Sequence, residues 1–234
     1  MNEVIGIWRI IWLEMKQSFV IFWSILIGTT LLGLLGTVIF QLEEIIFVTN
    51  VPLYIYFTII GAQLFRLALT YGTSFGSTRT QFYIGAITGG AFLVLLGSAI
   101  HALVYLGLNT LAFTFVPAFE IKHFFPFLLT MGDGVFPNFL VDSLFSLMVL
   151  SIGCFFSTLY YRYGSLPLYL SGAFLVLTGV FPVTHQYWQN FFRFLYTSSL
   201  FEVLSAFFII ALVAFLIPLM FIRKFNIYRK GNAS

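Results

Sequence analysis

The chain has 234 residues and a formal net charge of +3, and its mean hydropathy is +1.02. Hydrophobic residues make up 60% of it and charged residues only 8%, whereas soluble domains carry about 25% charged residues. This composition excludes an ordinary water-soluble domain and predicts a membrane protein. Basic residues gathered at the edges of membrane spans explain the positive charge, so we expect no nucleic-acid partner.

The N-terminal segment 1–17 shows helical periodicity. One apolar stripe faces a polar side that carries Arg9 and Lys16, and the stripe consists of Val4, Ile7, Trp8, Ile11, Trp12 and Met15. This pattern predicts an amphipathic helix lying flat in the cytoplasmic interface. The alternative is an extension of the first span that only anchors it. Charged residues interrupt the segment, so we expect no cleaved signal peptide.

Six long apolar stretches follow, each with at least the roughly 20 residues that a helix needs to cross the hydrocarbon core, and the third is long enough to be tilted or to project beyond the bilayer. The predicted fold is therefore all-α, a polytopic membrane protein with six transmembrane helices in a single domain, 1–234. The predicted spans are 18–40, 46–68, 83–113, 138–160, 165–184 and 200–222.

The orientation follows from the basic residues, because Lys and Arg are retained on the cytoplasmic side. Only Lys122 and Arg193 fall on one side if the six spans alternate. The other side holds nine: Arg9, Lys16, Arg66, Arg79, Arg162, Arg223, Lys224, Arg229 and Lys230. Both termini are therefore predicted to be cytoplasmic.

The segment 64–82 between the second and third spans is the most distinctive polar stretch. Gly72 and Gly76 permit a turn, and Thr78 with Gln81 three residues later fits the capping pattern of a helix start. The sequence predicts a short helix, a tight bend and a firmly started third span. The same features also serve any polytopic protein that needs capped helices and basic anchors.

Three ionisable residues within spans are candidate functional groups, because such residues are costly in a membrane: His101, Asp142 and Glu202. Asp142 and Glu202 are close enough to span ends to reach headgroups or pair with Arg193. For His101 we expect a neutral imidazole bonded to a neighbouring helix, with a proton relay as the alternative. Aromatic residues in 114–137 and 185–198 suggest membrane anchoring or an outer gate.

Metal and cofactor sites are not predicted. His101, His123 and His185 are too dispersed for a metal cluster, and the single cysteine, Cys154, supplies neither a disulfide nor a thiolate metal site. The chain also has no Gly-rich loop ending in Gly-Lys-Ser/Thr to hold nucleotide phosphates, so we expect it not to hydrolyse ATP itself.

The stretch from Gly76 to Gly85, GSTRTQFYIG, resembles the glycine, Thr-Arg, aromatic, glycine pattern that follows the coupling helix in bacterial ABC-2 type permease subunits. Thr80 stands where that pattern has a second basic residue. The layout of the whole chain is also similar to that family, with an N-terminal amphipathic helix, six spans and an aromatic outer segment before the last span.

The resemblance implies a permease subunit of an ATP-driven exporter in the bacterial cell membrane, working with a cytoplasmic ABC ATPase and a second permease subunit. The substrate class would be amphipathic, such as a peptide, a lipid or a drug-like molecule. It further implies that ATPase coupling runs through 64–82, and the residues concerned are Arg66, Tyr71, Phe75, Ser77, Thr78, Arg79, Gln81 and Phe82.

Two other classes remain open. A six-span substrate-binding subunit or secondary carrier would need a polar site near the membrane midplane. A membrane enzyme would need converging nucleophile, base or metal ligands, and the sequence offers little beyond Glu43 and Glu44 at one edge.

Overall fold

A computed structural model describes residues 3–41, 45–72, 79–116, 118–125 and 134–223. Within these residues the chain forms seven helices and one two-stranded sheet. In chain order these are α1 (Glu3–Phe40), β1 (Ile45–Val48), α2 (Asn50–Gly72), α3 (Arg79–Phe115), β2 (Phe119–Lys122), α4 (Val135–Tyr163), α5 (Leu166–Val180), α6 (Pro182–Thr197) and α7 (Leu200–Arg223).

Helix α1 is continuous over 38 residues, or about 57 Å at about 1.5 Å per residue. It has no break near residue 17, so the structure does not separate an interfacial helix from the first span. Ile7, Ile11 and Met15 of the predicted stripe are buried in the bundle. This arrangement corresponds to the alternative, in which the segment extends the first span.

Four helices are long and apolar enough to cross a membrane, namely α1, α3, α4 and α7, and the bent pair α5 and α6 raises the number to five if it counts as one span. The chain is therefore a multi-pass membrane protein. The predicted second span corresponds to α2, which carries Asn50, Gln63 and Arg66 and is not among these helices.

The predicted fifth span, 165–184, is not one straight helix. Helices α5 and α6 meet at a bend of 93°. Phe181 between them is extended, with φ −73° and ψ 125°, and Pro182 follows it. Because proline disfavours the helical conformation of the residue before it, the bend has a local cause in the sequence.

The helices of the bundle run in alternating directions. Helices α1 and α3 are parallel, since Gly85 lies against Ile7 and Gly89 against Ile11. Helix α2 runs antiparallel to α3, with Gly97 against Phe57 and Gly90 against Leu64. The start of α1, the end of α2 and the start of α3 therefore share one end of the bundle, which we call the Arg79 end.

Helices α4 and α7 run in the same direction as α2. Tyr54 contacts Asp142 near the start of α2 and α4, and Phe65 contacts Tyr161 near their ends. Between these contacts, the Cys154 thiol of α4 donates to the carbonyl of Gly61, and Ser157 donates to the carbonyl of Ala62, the next residue of α2. Helix α7 packs on α4, and the Tyr83 hydroxyl donates to the Phe215 carbonyl 3.2 Å away. The final turns of α4 and α7 therefore also lie toward the Arg79 end.

A parallel two-stranded sheet lies at the opposite end, where Ile45 pairs with Phe119 and Val48 with Lys122. Since α1 and α3 are parallel, the strands that follow them are parallel as well. The prediction that the second span begins at residue 46 is wrong, because β1 occupies 45–48 and the helix begins at Asn50.

Candidate functional site

Six polar side chains form a buried group near the sheet end of the bundle, which we call the polar cluster. Their fractional exposures run from 0% to 8%. The members are Thr49, Asn50, Tyr54, His101, His123 and Asp142. They come from α2 and the residue before it, from α3, from α4 and from the residue after β2. Four separate parts of the chain therefore meet at one polar centre.

The sheet and the start of α2 explain how part of the cluster assembles. Val48 pairs with Lys122 at the ends of the two parallel strands, so the next residues, Thr49 and His123, leave the sheet side by side. Asn50 begins α2, and Tyr54 lies four residues later on the same face of that helix. The sheet thus places His123 next to the face of α2 that carries Asn50 and Tyr54.

Asp142 is the centre of the cluster, and its side chain is fully buried. Its Oδ2 lies 2.6 Å from Nδ1 of His101. Its Oδ1 accepts the Tyr54 hydroxyl at 2.6 Å and lies 3.1 Å from Nε2 of His123. A carboxylate buried in this way is stabilised by three partners from three different elements.

Asn50 and Thr49 complete the hydrogen bonding. The Asn50 amide nitrogen donates to the Tyr54 hydroxyl at 3.0 Å and lies 3.0 Å from Nδ1 of His123, while its carbonyl oxygen accepts the Phe124 backbone N–H at 3.2 Å. The Thr49 hydroxyl lies 3.0 Å from Nε2 of His101. Each polar side chain in the cluster therefore has at least one partner.

The chemistry of this arrangement is that of proton binding and hydrogen bonding. Two imidazoles and a carboxylate share a buried site, and each of these groups can bind or release a proton. Among the described residues, no group of three or more His, Cys, Asp and Glu side chains is arranged to hold a metal ion.

Two of the three predicted intramembrane residues come together here. His101 contacts Asp142 on a neighbouring helix, so the expectation of an imidazole bonded to another helix is confirmed. The expectation that Asp142 reaches headgroups or Arg193 is wrong, because its side chain is fully buried between two histidines. The register of helix packing, rather than depth in the span, decides its partners.

Glu202 is not part of the cluster. Its carboxylate accepts the backbone N–H of Ser199 at 2.8 Å, and its own N–H lies 3.4 Å from the Ser199 hydroxyl. This reciprocal pair is a capping box at the start of α7. The structure therefore gives Glu202 a role in helix capping.

The predicted coupling residues lie at or near the Arg79 end. Arg66 is exposed on α2, and Arg79 is the first residue of α3. Gln81 is exposed and Phe82 is buried. Tyr71 belongs to α2, whereas Phe75, Ser77 and Thr78 lie outside the described residues. The described members of this set do not reach the polar cluster.

The sequence interpretation missed Asn50, Tyr54, His123 and Thr49 as members of a site. A weak signal exists, because Asn50 and Tyr54 stand one turn apart at the start of a predicted span, but an asparagine at a helix start commonly serves only as a cap. His123 is distant in sequence from the other histidines, and only the strand pairing brings it to Asp142.

No family model matches the chain, and no similar curated protein or solved structure was found.

Proposed function

We propose that this protein is the permease subunit of an ABC-2 type transporter, which exports an amphipathic substrate with energy from a separate ATPase. One geometric observation supports the proposal. Helix α3 is unbroken from Arg79, in the motif that resembles the coupling region, to His101 in the polar cluster, 22 residues and about 33 Å away. A rigid helix of this kind can carry a displacement at the cytoplasmic side into the membrane domain.

The proposed topology has six spans, counting α2 and the bent pair α5 and α6 as one span each, with both termini cytoplasmic in the bacterial cell membrane. Five basic residues toward the Arg79 end support this orientation, namely Arg9, Arg66, Arg79, Arg162 and Arg223. Cysteines introduced by Gln41→Cys and Gln186→Cys should react with an impermeant reagent from outside, and those from Ser74→Cys and Asn232→Cys should not. External labelling at position 74 would overturn both the topology and the coupling assignment.

The proposed partners are a cytoplasmic ABC ATPase, a second permease subunit and membrane lipid. The exposure of helix α5 supports the proposal of a protein partner beside it in the membrane. All residues of α5 are described, and none of them is buried in the single chain. Lipid would cover the rest of this apolar surface. The ATPase would engage the Arg79 end.

The test is purification of the full chain from its native membrane in mild detergent, followed by identification of the chains that remain bound. A stoichiometric ATPase with nucleotide turnover is expected. A homogeneous preparation that transports substrate without any nucleotide-binding chain would reject the assignment.

A secondary carrier is the second candidate, and the polar cluster is the observation that favours it. Carriers driven by a proton gradient use buried ionisable groups within the membrane domain. Reconstitution of the chain in liposomes, once alone and once with its ATPase, separates the two functions. Substrate uptake driven by an imposed pH gradient, without ATP, would favour the carrier, whereas strict dependence on the ATPase would favour the permease.

A further inference from the structure

We propose that the polar cluster is a binding site for a single exchangeable proton, which the pair of His101 and Asp142 holds while His123 stays neutral. The inference does not depend on the transport function, because it concerns only the protonation states that the hydrogen bonds allow. The titratable groups that face His101 and Asp142 in the described structure are Tyr54 from α2 and His123 from the segment after β2, with Tyr105 one turn further along α3.

The state of His123 follows from the charge of the cluster. Its Nε2 lies 3.1 Å from Oδ1 of Asp142, so this nitrogen carries hydrogen and donates to the carboxylate. The Asn50 amide nitrogen lies 3.0 Å from Nδ1 and 3.2 Å from Nε2, so it packs on the face of the ring. A second ring proton on Nδ1, beside a protonated His101, would place two cations next to one buried carboxylate, which is costly in a membrane interior. His123 therefore carries its only ring proton on Nε2 and is neutral.

The Asp142 carboxylate has one oxygen that can share a proton. Oδ1 already accepts from Tyr54 and from Nε2 of His123. Oδ2 faces only Nδ1 of His101 among the described contacts, at 2.6 Å. A proton between these two atoms gives either an ion pair or a neutral pair, and in both cases the net charge of the cluster is zero.

Thr49 allows His101 to exist in two states, because a hydroxyl both donates and accepts. With the proton bound, Nε2 carries hydrogen and donates to the Thr49 oxygen. With the proton released, Nδ1 keeps its hydrogen toward Asp142, and the Thr49 hydroxyl turns to donate to Nε2. The geometry thus points to Nε2, on the Thr49 side, as the position where the proton enters and leaves.

The released state leaves one uncompensated negative charge on Asp142 in a site shielded from water. Such a charge is costly in a membrane interior. The bound state is therefore the resting state, and release, as the pH rises, is coupled to a change that brings water or a cation to the cluster. Movement of the start of α2, which carries Thr49 and Asn50 into the site, is one such change.

The experiment is nuclear magnetic resonance of the full chain in lipid nanodiscs with ¹⁵N in its histidine rings, since the chain contains only three histidines. The ring nitrogen resonances report which nitrogens carry hydrogen. His185 is exposed on α6 and serves as an internal reference, assigned with His185→Gln. The pH is varied across the range in which the protein stays folded.

The expected result is that Nδ1 of His123 stays unprotonated throughout, while Nε2 of His101 changes in one step from protonated to unprotonated as the pH rises. Protonation of Nδ1 of His123 in the wild-type chain would overturn the proposal, and so would an Nε2 of His101 that never changes. Asn50→Asp adds a second carboxylate beside the His123 ring, so Nδ1 of His123 should become protonated. An unchanged His123 in that variant would overturn the argument that the charge of the cluster sets its state.

Discussion

Gly61 of α2 lies directly against the backbone carbonyl of Leu150 in α4, with no room between them for a Cβ atom. Gly153 of α4 lies in the same way against the carbonyl of Thr58. The Cys154 thiol bonds to the Gly61 carbonyl at 3.0 Å within this contact. Small residues allow this close approach, and membrane helices associate mainly by such packing.

We expect Gly61→Ala to lower the free energy of unfolding by about 1–3 kcal/mol, because the added methyl group must push the two backbones apart. Thermal unfolding of the purified protein in detergent measures the effect. Gly107→Ala is the matched control, since a Cβ at Gly107 of α3 meets no atom within 4 Å. It should be neutral or slightly stabilising, given the better helix propensity of alanine. Equal losses in both variants would contradict the packing argument.

The bond from Tyr54 to Asp142 should be among the stronger ones in the protein. Tyr54→Phe removes a hydroxyl that donates to a buried carboxylate at 2.6 Å, and we expect the free energy of unfolding to fall by about 1.5–3 kcal/mol. Tyr83→Phe removes a hydroxyl that donates to a neutral carbonyl at 3.2 Å, and here we expect a decrease of about 0.5–1.5 kcal/mol in the free energy of unfolding. Urea or thermal unfolding of the two variants side by side compares the bonds. A larger effect for Tyr83 would argue against an ionised Asp142.

Glu202 should act as a helix cap rather than as an ionisable functional group. Glutamine can serve at the same position of a capping box, so Glu202→Gln should keep nearly all stability and activity. Glu202→Ala should cost about 1 kcal/mol, the typical value of a lost cap interaction. Unfolding and transport assays on both variants separate the two roles. Loss of transport in the glutamine variant at normal stability would restore Glu202 as a functional residue.

The sequence predicted the membrane class and the long apolar helices because both depend on composition over windows of about 20 residues. Four of the six predicted spans, now α1, α3, α4 and α7, are helices able to cross a membrane. The break at Phe181 was also readable in principle, since Pro182 follows it. Three of the four residues of β1, 46–48, fall within the predicted second span, because a short apolar run looks alike in a strand and a helix.

The candidate site was only half predictable. His101 and Asp142 stood out singly, because ionisable residues are expensive in a span. Their contact joins positions 41 residues apart on two helices, and it depends on how α3 and α4 are rotated against each other. His123 depends further on the register of a two-stranded sheet that the sequence interpretation did not include. Pairings of this kind arise from tertiary packing and leave no local pattern.

The last prediction concerns Arg79, the first residue of α3 and the only basic residue of the motif that resembles a coupling region. If an ATPase pushes on this end of α3, Arg79→Gln should reduce ATPase binding or uncouple ATP hydrolysis from transport while the protein level stays normal. A charge next to a partner contributes to association, so we expect ATPase binding, or transport per ATP hydrolysed, to fall several-fold. The measurements are protein yield, bound ATPase and transport per ATP hydrolysed.

Arg162→Gln is the matched control for Arg79→Gln. Arg162 lies in the last turn of α4, at the same end of the bundle, with its guanidinium 5.1 Å from the Tyr163 ring centre. Like Arg79, it is a basic residue that favours the cytoplasmic side of the membrane, but it lies outside the motif. If the two variants change yield, binding and turnover to the same extent, Arg79 is a topological anchor. A loss of coupling confined to the Arg79 variant would support transmission of motion through α3, because only that helix connects the motif directly to His101.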